Sequence, residues 1–407
     1  MTVMVDTEAV NGKPMRLHRI LGDEGFRLFF PLAALHLALW PVLWTMVRGG
    51  DLPLARAMPP GLWHAQEMLI GGLGAALLGF MTTAVPEWTD TSPIRHGRLF
   101  MLAGVWGGAR IAGLLGADAL TPVAAILDGV WLYALVVYLL VMSLRKRTTR
   151  LLAFAGWIAA LSAAALILRY AFWISDVALA QTMIRVITLL WCGILGLALA
   201  RITVPVTNLV LDPSEQTSPY RPHPGRLNLG SGLAAVAIAG ELATLSPAVS
   251  GFLWIAAGAA FMDRVSEAFV GREMLRAEIL SLAGPSALTG IGLMLVGAGR
   301  LGLPFPETTG LHVVTMGGLG LGVMAVFSIA GLMHAGRRLP FGRLAKLALL
   351  VIIVGLALRV APDLGWLTLP GPAHGVASMV WAAAFLIWLK AYWPLLSDPS
   401  TIGAARC

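Results

Sequence analysis

Two short stretches of this chain place an imidazole and a thioether four residues apart. In WHAQEMLIGGLGAALLGF, Trp63 to Phe80, they are His64 and Met68; in HVVTMGGLGLGVM they are His312 and Met316. A spacing of four puts both groups on one helix face, about 6 Å apart. Imidazole suits iron, copper and zinc, and thioether sulfur suits Cu(I) or an axial haem position. Each pair is followed by glycines: Gly71, Gly72 and Gly74 in the first stretch, Gly317, Gly318 and Gly320 in the second. Residues this small let a neighbouring helix or a flat macrocycle come close. The chain has 17 methionines, and Met is a common filler of apolar cores, so Met68 and Met316 also read as packing. An imidazole in an apolar segment has fewer bland explanations, and His64 and His312 are the expected ligands.

Around these pairs lie other groups able to move protons or hold ligands. Glu67 is three residues from His64 and reads as a proton relay, a ligand-orienting group or a helix N-terminal charge. Glu241 is a second relay candidate. His36, inside AALHLALW, reads as a structural histidine or a haem ligand, and His374, after PGPA, as a ligand or a wetted interfacial group. Arg110, Arg169 and Arg185 read either as partners of Asp128 and Glu241 or as bidentate clamps on an anionic group such as a haem propionate. His334, in GLMHAGR, lies about 33 Å along a helix from His312, so it marks a separate metal site or an interfacial residue. His18, His96 and His223 fall in basic or proline-rich loops and read as solvated.

The elements that must position these groups are membrane helices. Of 407 residues 58% are hydrophobic and 12% charged, and the mean hydropathy is +0.80. Soluble domains carry about twice that charged fraction. A run of about 20 apolar residues spans a bilayer as a helix. The pattern predicts an all-α polytopic protein with twelve spans: 26–47, 62–85, 98–115, 121–143, 151–174, 177–203, 228–247, 249–270, 277–299, 308–334, 344–361 and 373–395. Residues 1–25 form a polar amino-terminal segment, 204–227 a linker between the two sets of six, and 396–407 a tail. The amino-terminal segment does not resemble a cleavable signal peptide.

Lys and Arg set the expected orientation. Nineteen fall in the amino-terminal segment, in the loops after even-numbered spans and in the tail, against four (Arg48, Arg56, Arg300, Arg359) after odd-numbered spans. This bias puts both termini in the cytoplasm. His64, His312 and His374 then share one level at the outer face, with Arg110, Arg169 and Arg185 in the outer half. Charges at such depth are costly and mark functional sites by default. The net charge of +8 sits in short loops, where it sets topology, so nucleic-acid binding is excluded. Two cysteines, Cys192 and Cys407, supply neither a disulfide framework nor a CxxCH haem attachment, so any haem is held without thioether links.

Across nearly its whole length the chain resembles the NnrS family. The resemblance rests on EGFRLFFPLAALHLALW, WHAQEMLIGG with GFMTTAVPEWT, RITVPVTNL, HVVTMGGLGLGVM with MHAGR, and VWAAAF, in that order. It implies a twelve-span bacterial inner-membrane protein containing haem, non-covalent and of b type, and copper. It also implies a part in nitric oxide metabolism, denitrification and resistance to nitrosative stress, with His64, His312 and His334 as the motif histidines. The expected function is nitric oxide binding or conversion by a possible oxidoreductase, drawing on an electron donor that no residue identifies. A twelve-helix transporter is the competing class, since six spans plus six is also a permease layout. A copper-handling or assembly protein without redox turnover is a third.

Overall fold

The computed structural model describes residues 15–47, 59–115, 118–304, 306–371 and 374–403. Residues 1–14 of the amino-terminal segment, Arg48, Arg56, and Arg406 with Cys407 of the tail lie outside the described residues. Described residues form twelve long helices and no strand. In chain order they are α1 Gly25–Val47, α2 Pro60–Thr89, α3 Gly97–Leu115, α4 Thr121–Arg145, α5 Leu152–Trp173 and α6 Val177–Leu211 in the first half. The second half holds α7 Arg226–Leu242, α8 Pro247–Asp263, α9 Ala277–Arg300, α10 Glu307–His334, α11 Arg343–Val360 and α12 Gly375–Leu396.

Nine of these are long and apolar enough to cross a membrane. The other three, α3, α7 and α11, have 19, 17 and 18 residues and carry ionic groups. Those groups, Arg110, Glu241 and Arg359, are buried. Each of the three delivers a charge to the interior of the bundle.

Consecutive helices pack side by side, and α12 packs back against α1. Inside this ring stand α2, α6 and α10, which also touch one another. Their most apolar stretches are 94%, 83% and 72% buried, against 39–56% for the other six apolar spans. The interior helices are four apart in the chain, so the architecture repeats every four helices.

Two further differences from expectation concern helix geometry. Helix α6 runs eight residues beyond 203, through Pro205 to Leu211. A proline costs a helix one hydrogen bond; here Val206, Thr207 and Val210 are buried on the same turns, and the helix continues. Helices α2 and α10 are not α-helical throughout. Glu67–Gly72 and Val313–Gly320 are π-helical, and each segment begins within three residues of its motif histidine. Such turns leave carbonyls outside the α pattern and recur at functional sites. In α2 the Gly71 carbonyl accepts the indole N–H of Trp106 at 3.0 Å, and Trp63 ties the helix to α3 through Gly113 O at 2.8 Å.

Candidate metal centre

Three polar clusters lie at one end of the bundle, the end that holds His64, Glu67 and Glu241. The first surrounds Glu67. Its carboxylate accepts Arg110 Nη1 at 2.8 Å and Arg169 Nη2 at 3.3 Å. Asp128 accepts Arg169 Nε and Nη2 at 3.0 and 2.8 Å, Trp131 Nε1 at 3.1 Å, and Arg110 Nη2. All four charged groups are buried, and two guanidiniums balance two carboxylates. Isolated charges would not persist there; a paired, hydrogen-bonded set can. His36 belongs to this cluster: its Nε2 lies 3.0 Å from Glu67 O and 3.8 Å from Glu67 Oε2, and its ring stacks on Trp40. Gln66, wholly buried, donates to Asp128 at 3.5 Å, while its Oε1 has no partner among the described residues.

The second cluster surrounds Glu241. It accepts Arg185 Nε at 3.0 Å, Ser250 Oγ at 2.7 Å, Trp254 Nε1 at 2.8 Å, and Arg300 Nη1. Five neighbours would have to rearrange before this carboxylate could carry a proton elsewhere, counting Glu307, which holds Arg300 from the far side at 3.1 Å. Arg110, Arg169 and Arg185 are thus all engaged by protein carboxylates, the first of the two roles open to them from sequence.

The third cluster contains the histidines. His64 and His312 lie within electrostatic range of each other, and each is in range of Arg359 and His374. His312 donates its Nδ1–H to Thr308 O at 2.7 Å, which leaves Nε2 as the ring nitrogen with a lone pair. His64 packs under Trp44, with ring centroids 4.6 Å apart, and its Nδ1 is buried with no partner among the described residues. Arg359 Nη1 donates to Asp363 at 2.7 Å, and Asp363 also accepts Thr309 Oγ1 at 2.9 Å. His374 caps α12 with left-handed backbone, φ 67°. Arg359 and Asp363 were not singled out from sequence, since Arg359 counted only as a loop charge; their i, i+4 spacing at a helix end was the available signal.

Among the described residues no group of three or more His, Cys, Asp or Glu is close enough to hold a metal ion. The ligand set on offer is therefore the two imidazoles, with Met68 and Met316 following in the π-helical segments. The glycines behind them serve helix contacts. A Cβ at Gly71 would meet His36 Nε2 at 2.6 Å, one at Gly74 would meet Trp131 at 2.7 Å, and one at Gly317 would meet Leu356 at 2.9 Å. Neighbouring side chains fill the space that a macrocycle would need at those glycines, so a flat group is confined to the histidine end of α2 and α10.

His334 lies at the opposite end. Its Nδ1 is 3.6 Å from Glu24 and its Nε2 3.7 Å from Glu87, and Phe26 packs on the ring. Glu24, just before α1, has its pKa pushed up to about 7, by burial first and then by Asp23 and Glu87, with Arg27 and Arg95 opposing. A carboxyl raised in the folded state takes up a proton on folding between pH 4.5 and about 7, so its contribution is lost as pH rises through that window. Glu24→Gln should therefore raise the thermal midpoint in detergent at pH 8. The gain should vanish below pH 4.5, and a pH-independent gain would exclude this titration.

The molecule so described is a polytopic helical membrane protein with three clusters of buried ionic and imidazole groups at one end of its bundle. The NnrS protein family model matches residues 20–400, and the chain belongs to the NnrS family. No curated protein matches it.

Proposed function

We propose that His64 and His312 hold a haem or copper centre at the outer face of a bacterial cytoplasmic membrane, and that nitric oxide binds there. Membership of the NnrS family links the protein to nitric oxide metabolism in general. The observation that carries the site is the half-buried His64 ring, whose buried Nδ1 has no partner among the described residues and which lies within electrostatic range of the half-buried His312 imidazole on another interior helix. Buried polar atoms are nearly always bonded, and an exception calls for a ligand.

Each surrounding residue has a task on this reading. Thr308 fixes the tautomer and orientation of His312. Arg359, held by Asp363, supplies the cation suited to an anionic substituent such as a propionate. Trp44 covers His64 and limits water. The Glu67 cluster locks the π-helical turn that follows His64, a positioning role. Met68 and Met316 are the soft donors available to copper, while Glu241 and Arg185 belong to the lattice of ion pairs. His374 closes the outer edge. A bound metal would supply an open coordination position for nitric oxide. Reduction of two nitric oxide molecules to nitrous oxide would further need two electrons and two protons, the electrons from an external donor.

Both termini are cytoplasmic on this reading, as the loop charges favour. The four-helix period supports the metal reading over a six-plus-six permease, whose repeats would place two equivalent bundles about the linker. The test is composition: protein expressed with haem precursor and copper supplied should purify with haem or copper in stoichiometric amount. Purification with neither would end this reading.

A further inference from the structure

At the end of the bundle opposite the histidine pair, a cavity of about 450 Å³ opens between the three interior helices. A space of that size holds on the order of ten waters. Its walls are the last turns of α2, α6 and α10, including Ala84, Ala330 and Met333, and residues 212–218 of the linker stand at its mouth. It therefore lies on the axis shared by the three helices and not at the lipid-facing surface. Its floor is aromatic. Phe30 stacks on Phe327 with centroids 4.3 Å apart, Phe327 leans on Trp388 at 5.0 Å, and all three rings are fully buried.

The charges lining it are unlike those around it. This end of the bundle carries most of the arginines of the chain, yet the cavity is lined by three carboxylates, Glu87, Asp212 and Glu215, with Arg201 as the one arginine. Arg201 is engaged at the wall, its guanidinium over the Trp88 ring at 5.6 Å and donating to Arg150 O at 3.1 Å, and the three carboxylates outnumber it. His334 faces Glu87 across the inner wall. A concave, low-dielectric wall lined by one sign of charge concentrates the opposite ion.

We propose that this cavity is a water-filled vestibule, open to the cytoplasm, that gathers small cations, hydronium included, on the axis of α2, α6 and α10 and is closed below by the Phe30–Phe327 pair. It is independent of the metal reading of the outer pocket, which stands or falls on metal content.

The test is thiol modification of single-cysteine variants in a Cys407→Ser background, with the buried Cys192 retained as the blank. Inside-out vesicles are treated with a cationic trimethylammonium or an anionic sulfonate methanethiosulfonate. Ala84→Cys and Ala330→Cys should react, as should Ser218→Cys at the mouth. Ala76→Cys, one turn beyond the Phe30 contact with Gly79, should not. At low salt the cationic reagent should be favoured about tenfold more than it is with a free thiol in solution. Glu87→Gln combined with Glu215→Gln should remove most of that preference. Three results would overturn the proposal: unreactive residues 84 and 330 beside a reactive 218, no charge preference, or reaction only in right-side-out vesicles.

Discussion

Replacing either motif histidine by alanine should lower haem or copper occupancy of the purified protein by about tenfold or more. Losing even a group that merely orients a metal ligand costs about 10- to 100-fold in affinity, and His64 and His312 are ligands themselves on this account. The controls separate ligation from damage. His223→Ala alters a linker residue whose backbone N–H meets Glu267, far from the outer cluster, and should leave occupancy unchanged. Thr308 holds His312 through its carbonyl, which a side-chain change retains, so Thr308→Ala should have a small effect. Occupancy measured as the pyridine haemochrome and as copper per protein decides the matter. Equal retention in His64→Ala, His312→Ala and His223→Ala would refute the shared site.

The second large effect falls on stability. Arg169→Met removes one of two guanidiniums facing Glu67 and Asp128 and leaves two buried carboxylates to share Arg110 alone, one negative charge in excess. Breaking a buried pair in this way costs about 3–5 kcal/mol. That is a large share of a typical stability of about 5–15 kcal/mol, so Arg169→Met should aggregate or melt far below the parent in detergent. Asp128→Asn together with Arg169→Met restores charge balance and should recover much of the loss. Thermal melting of the two single variants and the double variant measures the coupling. A double variant as unstable as the sum of the singles would show that these charges are not a unit.

The two histidine motifs and the apolar spans were legible because hydropathy and helical spacing are local properties of the chain. What was not legible is long-range. Arg110, Arg169 and Arg185 left two roles open, since their partners come from other helices: Glu67 and Asp128 for the first two, Glu241 for the third. The π-helical turns at Glu67–Gly72 and Val313–Gly320 use the same apolar and glycine residues as an α-helix and carry no compositional mark. The glycines themselves were ambiguous between a helix and a macrocycle until Trp131, His36 and Leu356 were seen to occupy the space beside them. The span expected to end at 203 continues through Pro205, where burial of the following turns carries the helix on to Leu211. The linker suggested two halves, whereas the interior position of α2, α6 and α10 reveals a period of four.

The same contrast explains Arg359. Read along the chain it is one of four charges after odd-numbered helices; in the fold it is the cation beside both motif histidines, anchored by Asp363. The acid there is held in its ionised form: burial pushes the Asp363 carboxyl up, but the hydrogen bond and charge of Arg359, with the Thr309 hydrogen bond, together bring its pKa below the usual carboxylate range. A stationary ion pair at that position gives the histidine cluster a fixed positive group without leaving an unpaired charge beside it.

The central claim is that His64 and His312 share a metal that binds nitric oxide. It is tested most directly by the visible spectrum of the purified, reduced protein before and after addition of nitric oxide. The account predicts a shift of the absorption bands in the parent that is lost in His64→Ala and in His312→Ala. An unchanged spectrum in the parent, or the same shift in all three proteins, would contradict it.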